Sequence, residues 1–228
     1  MQSELKDLSY EDWVKYVFDH PVTDPAWHFD IDSPWWNETA DPTLTVTFLT
    51  RLFETSLESL VNRSDAQINQ GFWFLVSSGG SSHMLTLFDE QVPLAHRIHC
   101  VESIFDLNLD LFAPRCSALL GHTMTQEEYN ANPLNSICYM WWDIAPLYGK
   151  SGDPAREALD DTALGVMEKC LSLPSPACQE GALHGLGHWR HAYPERVESV
   201  INASLESSPS LSPELRAYAR NARGGHVL

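Results

Sequence analysis

Basic residues are scarce in this chain. Fourteen lysines and arginines stand against 31 aspartates and glutamates in 228 residues, a formal charge of −17. A surface of that sign repels nucleic-acid phosphates and anionic lipid headgroups, and it attracts cations and basic proteins. The expected partners therefore include no nucleic acid and no membrane. Long apolar runs are missing as well, and no stretch reaches the length that spans a bilayer. The N-terminal MQSELKDLSYEDW carries acids and no apolar core, so it does not read as a secretory signal. Cysteine is sparse. Cys100, Cys116, Cys138, Cys170 and Cys178 are odd in number, widely spaced and free of C-x-x-C pairs. That usage suits reduced core thiols and a cytoplasmic location better than a disulfide frame.

Several catalytic signatures are absent too. The chain has no G-x-S-x-G, and its glycine run at 77–82 follows a helical pattern and lacks a Walker lysine, so it reads as a connector. Alternating strand patterns and βαβ texture are missing, which excludes a nucleotide-binding α/β fold and leaves an all-α reading.

Prolines, by contrast, recur almost on a ruler. Pro93, Pro114, Pro133, Pro154, Pro176, Pro194 and Pro213 are separated by 21, 19, 21, 22, 18 and 19 residues. Asp153-Pro154, Ser175-Pro176 and Ser212-Pro213 read as an N-cap followed by the first helical residue, where a missing N–H has no partner to lose. Pro114 is likewise expected to open a short helix to about His122. Every second proline marks a pair of helices about 40 residues long, the period of an α-solenoid. The expected fold is an α-α superhelix of stacked helical hairpins in one compact domain. Residues 1–40 would supply a first helix and an aromatic strap, 41–92 a helix pair, and 93–228 the repeat-like pairs. The strap at 20–40 crowds Trp27, Phe29, Trp35 and Trp36 between prolines and should lie over the end of the core, with an aromatic lip for a ligand as the alternative. The segment after Pro133, LNSICYMWWDIAPLYG, is apolar nearly all round and belongs in the centre of the protein.

Histidine carries the sharpest chemical signal. In His184-Gly-Leu-Gly-His188-Trp-Arg-His191, a helix places the three imidazoles within an arc of roughly 60°, with Glu180 near the same line. Histidines at i and i+4 can reach one metal ion, and neutral imidazole suits zinc or iron. Gly185 stands where H-E-x-x-H would place its glutamate, so the usual zinc-peptidase base is lacking. The alternative is that these histidines bond along a groove while Gly181, Gly185 and Gly187 admit a neighbouring helix. His96, His99 and Asp106 fall on the polar face of the helix after Pro93, and Asp143 sits in a Trp141-Trp142-Asp143 triplet. These four are candidate groove contacts. Burial of Asp143 would raise its pKa and make it a candidate acid or base.

The stretch CQEGALHGLGH at 178–188, running into Pro194, Val197 and Ile201, resembles HEAT-type repeats of the phycobilin-lyase-like class. The local match covers about one repeat, 176–206. The chain also resembles a set of bacterial proteins that carry ALHGLGHW-type motifs. This likeness implies a helical-repeat fold and a binding role in a bacterial cytoplasm. With the charge, it gives the leading expectation: a non-catalytic acidic binding protein without a cofactor, an immunity-type inhibitor or accessory subunit whose protein partner has a basic surface. The alternatives are a metal-dependent hydrolase or oxidase built on the histidine cluster, and a structural subunit of a larger assembly.

Overall fold

Proline and its preceding cap set where the helices begin. The computed structural model describes residues 4–207 and 211–227. Among them are twelve α-helical segments: α1 (Tyr10–Phe18), α2 (Pro42–Glu54), α3 (Ser56–Ser59), α4 (Asp65–Val76), α5 (Leu94–Leu107), α6 (Ala113–Arg115), α7 (Gln126–Ala131), α8 (Pro133–Ile144), α9 (Pro154–Cys170), α10 (Pro176–Trp189), α11 (Pro194–Ser207) and α12 (Pro213–Arg223). Proline is the first residue of α2, α8, α9, α10, α11 and α12. Asp41, Asp153, Ser175 and Ser212 each accept a backbone N–H of the following turn, satisfying donors the helix cannot. Among the described residues, strand structure amounts to two residue pairs, Glu4–Leu5 running parallel to Trp35–Trp36.

Pro114 departs from the expectation. Instead of opening a helix it sits near the end of one, because α5 passes through a π turn at Asn108–Phe112 straight into α6. Proline inside a helix removes a hydrogen bond and crowds the carbonyl four residues earlier. Here that residue, Asp110, lies in the widened turn, and the chain turns extended at Cys116.

The fold is all-α, with the helices stacked in one compact body around a continuous core. Helix α8 packs between α4 and α10, while α5 packs between α2 and α9. Trp141 of α8 is the hub, meeting the edges of Phe53, Phe72 and Phe112 at centroid distances of 5.6–5.9 Å with Phe72 the nearest. Nearly every side chain of α10 is buried, and α10 also packs on α9, α11 and α12. In the strap, Trp27 and Trp36 are buried as expected, with Trp27 stacked 3.7 Å from the His20 ring. Phe29 and Trp35 do not cover the core: they are 62% and 39% exposed. Among the described residues, no helix is long and apolar enough to cross a membrane.

Candidate metal centre

Two glycines bring α10 against α8. A Cβ added to Gly185 would sit 2.5 Å from the Trp142 Cβ, and one added to Gly181 would collide with the Cys138 carbonyl. The pair is spaced i and i+4, so it lies on one helix face. That close contact sets the last turn of α8 beside the last turn of α10, and Asp143 beside His184 and His188.

The three side chains converge. His188 Nε2 lies 3.2 Å from His184 Nε2 and 3.4 Å from Asp143 Oδ1. All three donor atoms lie within 4.8 Å of one another. Ligands placed tetrahedrally at about 2.1 Å from a zinc ion stand about 3.4 Å apart, the spacing of the two short edges. His184 is fully buried, whereas the side chains of His188 and Asp143 are 38% and 36% exposed. The cluster is therefore anchored inside and open on its outer side.

A second layer of polar groups fixes His184. Its Nδ1 lies 2.7 Å from the Tyr218 hydroxyl, which lies 3.1 Å from the Tyr139 hydroxyl. With Nδ1–H donating to Tyr218, the Nε2 lone pair faces His188 and Asp143. That is the tautomer a metal ligand requires. Burial, then the neighbouring His188 and His122, hold the His184 pKa down at about 3, so its imidazole is neutral over the ordinary pH range. Burial first, then Tyr139, pushes the Tyr218 pKa upward, so its hydroxyl stays protonated.

The other sequence candidates lie elsewhere. Glu180 is buried and points away from the cluster: its carboxylate accepts the backbone N–H groups of Gly121 and His122 and the His122 Nδ1–H at 2.5 Å. It acts at a distance, since the His122 ring stacks on Tyr218 with centroids 4.4 Å apart. His191 falls past the end of α10 and is exposed, its Nδ1–H donating to the His188 carbonyl at 2.6 Å. The expected arc of three imidazoles assumed a helix continuing to 191, whereas α10 stops at Trp189. No family model, curated protein or solved structure matches this chain.

His96 and His99 are exposed on α5, where His99 Nε2 lies 2.9 Å from Glu54 Oε1 of α2. Asp106, on the same helix, has its pKa raised by partial burial and then by Asp110 and Glu54. None of these three joins the α8/α10 cluster. Asp143 does, but as a partly exposed carboxylate and not as a buried acid. Tyr218, Tyr139 and His122 carry no sequence signal of their own, since each comes from a different element and meets the site only through the fold.

Proposed function

We propose that this protein binds a divalent transition metal through His184, His188 and Asp143 and works as a metal-dependent hydrolase. The observation that carries the reading is the pair of 3.2 and 3.4 Å edges joining two imidazoles and a carboxylate from two tightly packed helices. Two histidines and one carboxylate form a donor set that suits zinc or ferrous iron, with open positions left for water. A metal ion held by these residues would supply Lewis-acid chemistry, activating water near neutral pH and polarising a substrate oxygen. The protein's own part is to hold His184 neutral and oriented through Tyr218, and to keep the Asp143 side open to substrate.

Metal content tests this first. Protein dialysed against micromolar zinc and then buffer is expected to retain one ion per chain by elemental analysis. Cobalt substitution should give the visible bands of a low-coordinate nitrogen and oxygen site. Asp143→Ala, at an exposed position, should keep its helicity and weaken metal binding by at least about tenfold, whereas His99→Ala should not. Metal-free protein after this treatment overturns the reading. Hydrolysis of activated esters and phosphoesters that depends on the bound metal then tests the reaction class.

The charge of −17 favours a second reading, an acidic binding protein for a basic protein partner. Its test is a salt-sensitive partner recovered from the host, followed by reconstitution from the two purified chains.

A further inference from the structure

Cysteine looks scattered in the sequence, yet the fold gathers four of the five. Cys116 follows α6, Cys138 lies in the middle of α8, Cys170 ends α9 and Cys178 stands in the first turn of α10. All are free thiols; Cys116 is partly exposed and the others are buried. Cys170 neighbours Cys178, whereas Cys100 lies apart beside Thr50. What these thiols do goes beyond the metal centre and does not depend on it.

The glycine contacts that join α8 to α10 also align their thiols. Gly181 faces Cys138 and Gly185 faces Trp142, so the two helices run parallel and in step. Cys178 lies one turn before Gly181 on the same face, and a helical side chain leans toward the N-terminus of its own helix. The Cys138 thiol therefore drops to the level of Cys178. It hydrogen-bonds with Cys178 on one side and with Cys116 on the other. The three sulfurs do not all fall within 4.8 Å of one another, so they form a row with Cys138 in the middle and not a metal-binding triad.

The two ends of the row are not equivalent. Cys138 and Cys178 sit on helices locked together at Gly181, and the Cys178 Sγ lies 3.7 Å from the Asn108 carbonyl oxygen. Cys116 begins an extended segment that has room to adjust. The thiols of Cys116 and Cys178, then burial, push the Cys138 pKa upward, so exchange starts at the accessible Cys116. Its thiolate attacks a small disulfide such as oxidised glutathione, breaking that S–S bond and releasing one glutathione thiol. Cys138 then attacks the Cys116 sulfur, gives its proton to the departing thiolate and releases the second glutathione. One S–S bond is lost from the reagent and one is gained by the protein, so atoms and electrons balance. Proximity offsets the small thiolate fraction of Cys138. The segment so fixed runs through Ser117 and Leu119, both held by the Asn135 side chain, to Gly121 and His122 on Glu180.

We propose that Cys116 and Cys138 form a reversible disulfide by exchange with low-molecular-weight disulfides, stapling the segment after α6 to α8. The test incubates the whole protein with excess oxidised glutathione at about pH 8, near the ordinary thiol pKa, then blocks it with N-ethylmaleimide for peptide mapping by mass spectrometry. The expected main product has lost two hydrogens, carries no glutathione and yields a linked Cys116–Cys138 peptide. It should keep its helicity, and dithiothreitol should reverse it. Cys138→Ala should stop at glutathione on Cys116, and Cys116→Ser should give no internal bond. Cys170→Ala and Asp143→Ala should leave the bond intact, the second separating it from the metal centre. The wild-type map decides the matter even where a variant fails to fold. Glutathione left on wild-type Cys116 without an internal bond overturns the proposal. So does a bond that pairs Cys138 with Cys178, or oxidation that occurs only with loss of helicity.

Discussion

His83 shows how much one residue can hold. It is wholly buried, and Trp13 Nε1–H donates to its Nε2 at 3.1 Å across 70 residues of sequence. Its Nδ1–H then donates to Ser81 Oγ at 2.8 Å, and that hydroxyl donates to the Phe74 carbonyl at 2.8 Å. Only a neutral imidazole satisfies this chain, and burial lowers the His83 pKa from 6.5 to about 3. Between those values the unfolded chain takes up a proton that the folded protein refuses. Stability from this group is complete above pH 6.5 and declines as pH falls toward 3. The slope is about 1.4 kcal/mol per pH unit. His83→Gln keeps an acceptor and a donor but does not titrate. Urea unfolding of both proteins from pH 7 to pH 4 should show the wild type losing more stability; parallel curves would refute the assignment. At the proposed metal centre, Tyr218→Phe removes the partner of His184 Nδ1 while keeping the ring. Zinc affinity should fall about 10- to 100-fold with the fold intact, measured by competition with a chromophoric chelator.

At the scale of elements, the spacing of prolines and caps made most helix starts legible, because a first-turn proline acts through local backbone chemistry alone. Pro114 was misleading for the same reason: its role depends on a π turn, which no local pattern announced. The i, i+4 spacing of His184 and His188 was legible, whereas their third partner was not. Asp143 is about 40 residues away in sequence and arrives only because Gly181 and Gly185 let α8 and α10 touch. Glu180 looked like a ligand because helix periodicity reports a face and not what that face meets. Gly185→Ala tests the contact directly. Its new Cβ would meet Trp142 and, at 2.8 Å, the Met167 sulfur. Overpacking of this kind costs about 1–3 kcal/mol, more than the gain of about 1 kcal/mol in helix propensity. Gly165 in α9 is the control, since an added Cβ there meets nothing within 4 Å. Gly165→Ala should therefore stabilise by about 0.5–1 kcal/mol. Shifts of opposite sign in the urea midpoint are the expected result; a stabilising Gly185→Ala would mean that the helices do not meet as described.

The whole molecule ties these scales together through α8. That helix carries the Trp141 hub, lines a cleft beside α4 and α7 at its start and offers Asp143 at its end. Composition showed an acidic protein, and the missing strand pattern and the proline spacing an all-α one. None of these showed that the central helix is clasped by α4 and α10, since apolar periodicity reveals a buried stripe without naming what buries it. Because a metal ion at His184, His188 and Asp143 would join α8 to α10, its binding should stabilise the whole fold and not one loop. A ligand that binds only the folded state adds about 2.7 kcal/mol at a hundredfold excess over its Kd. Zinc should therefore raise the melting temperature in proportion to the logarithm of its concentration, and a chelator should reverse the gain. Asp143→Ala should melt near the wild-type apo protein and respond little to zinc. His191→Ala should respond like the wild type, because His191 lies past the end of α10 and outside the ligand set. If His191→Ala abolished the response while Asp143→Ala kept it, the ion would be held by the turn after α10, and the joint between the two central helices would have to be abandoned.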